Sequence, residues 1–309
     1  MNRDELFIRW FDRWLKGVQN GIEKEPKVDM FVMGTNIWRK SDKLFGKEIK
    51  FDSISSKIND NNSPEKKSIK NTLNFVENYY LFSKKAANSI KGDGFLLDKA
   101  DFNKNSALKD SFLHNPKNPV TTVGGYLCCY PPLLRSGVFD RNFIEKRDDV
   151  LVYTSFSIRS DKEVTGYPNA VLWVFLAKEN FSERTNKSSV SADFNITLVD
   201  VFPDGRTLNV CDGIKRIMID NSAGQNQIKS TIDEQPLRIE IKLWPTRYVF
   251  KRNHRIRIEI TGSNFPKFEI NPGTELKYLP AGQKGIQIIQ HVFHSENYPS
   301  RIELPVLPN

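Results

Sequence analysis

The residues that could do chemistry in this chain are few. Four histidines occur, His114, His254, His291 and His294. His254 shares strand parity with Ile256, Ile258 and Ile260, which sets it on or beside an apolar face. A hydrogen-bonded structural role is favoured there over that of a base. His291 and His294 are three apart in what reads as a strand, so they point to opposite faces and do not readily share one metal ion. No H-E-x-x-H or C-x-x-C spacing accompanies them. No metal and no cofactor site is expected. The three cysteines, Cys128, Cys129 and Cys211, form a poor disulfide framework and read as reduced structural thiols.

A serine hydrolase of the α/β type needs its nucleophile in a G-x-S-x-G turn between strand and helix. Gly262-Ser263 is followed by Asn264-Phe265, and no glycine closes the motif. Acid–base carboxylates must converge on a pocket. Asp148 and Asp149 precede a strand, where capping a turn or pairing with Arg147 or Arg141 explains them. Asp204 belongs to the turn Pro203-Asp204-Gly205, where proline presets φ and glycine takes the left-handed position. Gly124-Gly125 lacks the lysine and the helix of a phosphate loop. No catalytic residue is expected from this chain.

The elements that would position such residues are mostly strands. One amphipathic helix is predicted at 3–18, with Phe7, Trp10, Phe11, Trp14 and Val18 on a single stripe. Packing of that stripe on the rest of the chain is the simplest expectation, and docking on a partner domain the next. Lys27–Gly34 reads as a strand. From Lys40 to Asn118 the composition turns to Lys, Asn, Ser and Asp, and few regular elements are expected beyond a strand at Asn78–Phe82. Asp60–Ser68 reads as an exposed loop. After Asp148 strands become dense. Ala170–Leu176 is apolar on both sides of the pleat and is expected to be a central strand. Phe194, Ile196 and Leu198 alternate with Asn195 and Thr197, and a strand follows the turn at Ile214–Ile219. Leu237, Ile239, Ile241 and Leu243 alternate with Arg238, Glu240 and Lys242, and Ile256, Ile258 and Ile260 with Arg255, Arg257 and Glu259. Both read as one buried and one wet face. The last strands are Ile286–Phe293 and Arg301–Leu304.

The chain has 309 residues, of which 39% are hydrophobic and 27% charged, an ordinary globular balance. Its 21 phenylalanines supply large side chains for a sandwich core. The net charge of +9 is spread over scattered lysines without a nucleic-acid-binding signature, so a solvated surface explains it. No run of about 18 apolar residues suggests a membrane span. The N-terminus does not read as a signal peptide, and a cytoplasmic location is expected.

Several collinear stretches carry a resemblance. RWFDRWLKG (Arg9–Gly17), KVDMFVMGTNIWR (Lys27–Arg39), NPKNPVTTVGG (Asn115–Gly125), DRNFIEKRDDVLVYTS (Asp140–Ser155), ADFNITLVDVFPDGRTLNVCDGIKR (Ala192–Arg216), LWPTRYVFKRNHRIRIEITGSNFP (Leu243–Pro266) and HVFHSENYPSRIELPV (His291–Val306) resemble, in order, the C-terminal β-domain of the cocaine-esterase (CocE/NonD) and X-Pro dipeptidyl-peptidase family of serine hydrolases. Asn115 stands where aspartate is usual, Thr121 where proline is, Arg141 where glutamine is, and Asn253 where glycine is.

The resemblance implies an all-β jelly-roll sandwich of the galactose-binding-like kind, with a short N-terminal helix and an irregular Lys/Asn-rich segment. It divides the chain into 1–40 (helix and lead-in strand), 41–118 (irregular segment and connector) and 119–309 (jelly roll), the last two also compatible with one domain. In that family the β-domain packs on an α/β-hydrolase domain and helps wall its pocket. The family's Ser, Asp and His lie in that other domain, so none carries over to a position here. The chain is therefore expected to be the non-catalytic part of an ester- or peptide-cleaving enzyme, inactive alone, with a catalytic α/β-hydrolase domain or subunit as partner. Neither nucleic acid nor membrane is expected to be a partner, and oligomeric state is left open. The alternatives are a stand-alone carbohydrate- or protein-binding jelly roll, or a decayed remnant. For a sugar platform the indoles are Trp38, Trp173 and Trp244, of which Trp173 and Trp244 read as core or core edge.

Overall fold

The structure is a computed structural model that describes residues 3–44, 47–48, 75–100, 107–127, 134–178, 189–219, 235–278, 282 and 284–307. The chain divides into two compact units, Met1–Leu73 and Asn74–Asn309. The loop predicted at Asp60–Ser68 and the pair Cys128-Cys129 lie outside the described residues.

The first unit holds helix α1 (Arg3–Lys16), a 3-10 turn at Ile22–Lys24, and strands β1 (Val28–Val32), β2 (Ile37–Ser41), β3 (Lys43–Leu44) and β4 (Lys47–Glu48). The helix stops at Gly17, whose positive φ of 73° suits a residue without Cβ. Asn20 Nδ2 then donates to the Arg9 carbonyl at 2.6 Å, and Arg13 pairs with Glu23 at 3.0 Å. β1 and β2 form an antiparallel hairpin in register Val28–Ser41 to Val32–Ile37. None of the helix's residues is buried. Phe7, Trp10, Phe11 and Trp14 thus share a stripe that the described residues of the first unit leave exposed.

The second unit is built of strands β5 (Phe75–Phe82), β6 (Phe95–Leu97), β7 (Lys109–His114), β8 (Val150–Ser157), β9 (Lys162–Gly166), β10 (Asn169–Lys178), β11 (Val190–Val201), β12 (Thr207–Ile219), β13 (Leu237–Lys242), β14 (Thr246–Phe250), β15 (Arg255–Thr261), β16 (Ile288–Ser295), β17 (Tyr298–Pro299) and β18 (Arg301–Val306). The order is β12-β11-β15-β8-β6-β5-β18-β10-β16-β17, with β13 on β10, β7 on β16, and β14 reaching β18 through β9. The class is all-β. β5 contains the strand expected at Asn78–Phe82, whereas β6 and β7 fall in the stretch where few regular elements are expected, and β12 starts seven residues before its predicted strand.

β10 is central, as its apolar run requires. It pairs with β13, β16 and β18, and both of its faces are mostly buried. The β11–β12 hairpin closes at the predicted turn. Gly205 has φ +90°, its amide bonds the Phe202 carbonyl at 3.0 Å, and Asp204 accepts from the Arg206 amide at 3.1 Å. A bulge falls where Leu198 pairs with Cys211 but Val199 with Asn209. Pairings far apart in sequence close the unit, β5 with β18 and β7 with β16.

The alternation of β13 is as read from Ile239 on, with Ile239 and Ile241 buried and Arg238, Glu240 and Lys242 exposed, but Leu237 at the strand's start is exposed rather than buried. That of β15 needs a correction. Ile256, Ile258 and Ile260 are buried, but so are Arg257 and Glu259 on the face read as wet. Arg141 and Glu145, from the segment between β7 and β8, cover that face and pair with them.

Candidate functional site

One serine, one histidine and one acid do meet inside the second unit. Ser83 follows β5, Asp110 lies on β7, Tyr153 on β8 and His294 on β16. Asp110 Oδ1 accepts from Ser83 Oγ at 3.0 Å and from the Ala87 amide at 2.9 Å. Its Oδ2 accepts from Tyr153 at 2.7 Å and from His294 Nε2 at 2.9 Å. Ser83 Oγ also lies 3.3 Å from that same nitrogen.

A nucleophilic serine donates to one imidazole nitrogen while the other nitrogen donates to the acid. Here the Ser83 proton goes to the carboxylate, Nε2 faces both partners, and His294 Nδ1 has no hydrogen-bond partner. All four side chains are buried. The cluster is a carboxylate caged by donors from four places in the chain. Burial acts to raise the Asp110 carboxyl, but the hydrogen bond and charge of His294, helped by Tyr153 and Ala87, outweigh it and hold the group below its ordinary value. Burial lifts the Tyr153 phenol well above its own. The sequence weighed His294 only against its neighbour His291 and gives no sign of this cage, because Ser83 and His294 are 211 residues apart.

The other histidines are also tied down. His254 Nδ1 donates to both oxygens of Asp200 at 2.9 and 3.0 Å, and Tyr248 donates to Asp200 at 2.7 Å. The imidazole ring packs on Phe202 with 4.3 Å between centroids. Burial raises the Asp200 carboxyl, and the bonds from Tyr248 and His254 offset this only in part. The trio joins the ends of β11, β14 and β15. His291 meets Ser111 at 2.6 Å on the opposite face of β16 from His294. His114 Nε2 donates to the Asn271 carbonyl at 2.9 Å, and burial holds its pKa below the ordinary value. Ser263 Oγ accepts from the Val120 amide at 2.7 Å. Asp149 pairs with Arg147 at 2.7 Å. Cys211 is buried, which pushes its thiol pKa up and leaves it inert. Among the described residues no group of three His, Cys, Asp or Glu is placed to hold a metal ion. No helix there is long and apolar enough to cross a membrane.

What remains for function is surface. On α1, Phe7, Trp10, Phe11 and Trp14 are each 51–53% exposed, and in the same unit Trp38 packs edge-on against Phe31 while 65% exposed. In the second unit an open groove of about 730 Å³ is lined by Tyr79, Leu96, Asp98, Ser155, Phe156 and Lys162, among others. Trp244, read as core or core edge, is 48% exposed and stacks on Tyr126 at 4.6 Å, because it sits in the link between β13 and β14 rather than within a strand. Trp173 is half-buried against Tyr298.

An all-β architecture whose described imidazoles brace strands defines a β-module. Residues 20–303 match the X-Pro dipeptidyl-peptidase C-terminal non-catalytic domain, and the chain belongs to that family. It is 29% identical over 301 residues to the cocaine esterase of Rhodococcus sp. (strain MB1 Bresler), covering 96% of this chain and 45% of that protein. It is 25% identical over 328 residues to a putative serine esterase of Mycobacterium tuberculosis (strain CDC 1551 / Oshkosh), covering 99% of this chain and 41% of the relative. The chain thus spans less than half the length of these relatives. Its fold is shared with an aminopeptidase from a marine sediment archaeon, Thaumarchaeota archaeon (TM-score 0.65, 19% identity, 99% of this chain and 44% of that one). An α-amino acid ester hydrolase shares it too (TM-score 0.62, 19% identity, 96% and 43%).

Proposed function

We propose that this chain is the pocket-shaping, non-catalytic part of an ester- or peptide-cleaving serine hydrolase, and that it works against an α/β-hydrolase domain, on the same polypeptide or a separate one. The single observation that carries this is the aromatic stripe of α1, which the described residues of its own unit leave exposed. Four large rings on one face of a helix are costly to leave in water and are of the residue type that anchors interfaces. The family match supplies the nature of the partner, since the relatives have more than half their length outside the matched region. The proposed division of labour is that the partner brings nucleophile, base and acid, while this chain brings a rigid β-wall. The cage around Asp110 supports the second half, because its serine and imidazole are spent on structure.

The test pairs the purified chain with the remaining α/β-hydrolase part of the Rhodococcus cocaine esterase. The chain alone is expected to leave p-nitrophenyl esters and X-Pro dipeptide amides intact, and the mixture to form a complex that cleaves one of them. Hydrolysis by the chain alone would overturn the reading.

A further inference from the structure

The open groove of the second unit holds two charges that no side chain answers. It has a volume of about 730 Å³ and is lined from β5, β6, β8 and the link between β8 and β9. Leu96 and the ring of Tyr79, both buried, give it an apolar floor. Phe156 also lines it, 72% exposed, and Phe95 holds that ring edge-on with 4.4 Å between centroids. Three charged side chains face the groove, Asp98, Arg159 and Lys162. Lys162 is committed, since it pairs with Glu77, which also accepts from the Tyr79 hydroxyl at 2.9 Å. Asp98 and Arg159 are paired neither with each other nor with another described residue.

A lone solvated charge needs no partner. Two opposite charges held apart in one cleft, over an apolar floor, are completed by a zwitterion with an apolar body. We propose that this groove binds a short peptide with free ends and apolar side chains. Its terminal carboxylate sits on Arg159, whose planar fork suits that group. Its terminal ammonium sits on Asp98, and a side chain lies against Phe156 and Leu96.

The surroundings agree. The link that carries Arg159 is pinned on both sides. Ile158 donates its amide to the His254 carbonyl at 2.8 Å and accepts from the Asn253 amide at 2.9 Å. Asp161 accepts from the Arg252 amide at 2.8 Å and from Lys251 at 3.0 Å. Phe156 stands on a strand and Asp98 directly follows one. A site set on fixed backbone spends little affinity on ordering itself. Its volume falls in the range of roughly 300–1,000 Å³ typical of clefts for small ligands. A smaller cavity of about 270 Å³ shares Ser160 and Lys162 with the groove and adds Phe75, Val306 and Leu307, which gives room for a second apolar side chain. A neutral sugar would use the Phe156 ring but leave both charges unanswered. The site lies wholly in the second unit, so its failure would leave the proposed division of labour with a hydrolase partner untouched.

The experiment is calorimetric titration of the full chain with the dipeptide Leu-Phe, and with the same dipeptide N-acetylated or C-amidated. The free dipeptide is expected to bind with a dissociation constant on the order of 0.1 mM. Capping either end is expected to weaken binding about tenfold. Asp98→Asn is expected to weaken the free dipeptide by about the same factor and to leave the N-acetylated form unchanged. Arg159→Gln is expected to do likewise, sparing the C-amidated form. Phe156→Ser is expected to weaken all three ligands alike. The three substituted residues are exposed, and unchanged Tm values confirm that the variants fold. The capped ligands test the same charges with no substitution at all. Absence of saturable binding up to about 10 mM overturns the proposal. So does binding that ignores both the caps and the two charge substitutions, or binding of a galactose oligosaccharide in place of the dipeptide.

Discussion

Ser83 gives its hydroxyl proton to Asp110, 3.0 Å away, rather than to His294. That one direction of donation separates a structural cage from a nucleophile. Its consequence is measurable. Asp110→Asn turns an N–H₂ toward donors that need an acceptor, and is expected to cost about 3 kcal/mol of stability. Ser83→Ala removes one of four donors and is expected to cost about 1 kcal/mol. Urea midpoints check both, and neither variant is expected to change the activity of a reconstituted enzyme at saturating chain.

The stripe on α1 separates stability from association. Trp10→Ser combined with Trp14→Ser touches no buried residue. It is expected to move stability by less than about 0.5 kcal/mol. Affinity for an α/β-hydrolase partner is expected to fall by about 2 kcal/mol, or about thirtyfold, as measured by calorimetric titration. Unchanged affinity would place the joint elsewhere.

Arg141→Met strands Glu259 in the interior without its cation. A loss of about 3–5 kcal/mol is expected, as for other broken buried pairs. The double variant Arg141→Met with Glu259→Leu is expected to recover much of it. Guanidinium unfolding of the two variants gives the comparison.

His114 sets a pH dependence of its own. Its folded-state pKa is depressed by burial, so it stays neutral while the unfolded chain takes up a proton. Its contribution is present above the ordinary histidine value of about 6.5 and is lost as pH falls below it. His114→Gln is expected to flatten the acid-side fall in Tm between about pH 6.5 and about pH 5, and a fall as steep as the parent's would show that another group governs it.

The strand alternation, the apolar run of β10 and the Pro203-Asp204-Gly205 turn were legible because they are local. Period two and turn chemistry need no knowledge of neighbours. The expectation that Asp148 and Asp149 cap a turn or pair with Arg147 or Arg141 is met for Asp149 by its neighbour Arg147, which adjacency suggests for the same reason. β6 and β7 were hard to see. Their pleats are held by β8 and β16, and their Lys- and Asn-rich surroundings mask the pattern.

The residue pattern alone determined the all-β class, the aromatic stripe near the N-terminus and the family. It also determined which side of β15 carries Ile256, Ile258 and Ile260. Only the tertiary structure decided what covers the other side. Periodicity tells which residues share a face, but solvent and a packed segment from more than a hundred positions away look the same to it. Arg257 and Glu259 therefore read as wet, and are instead sealed in by Arg141 and Glu145. The cage around Asp110 follows the same rule, since three of its side-chain donors come from distant strands or their ends that only the folded sheet brings together.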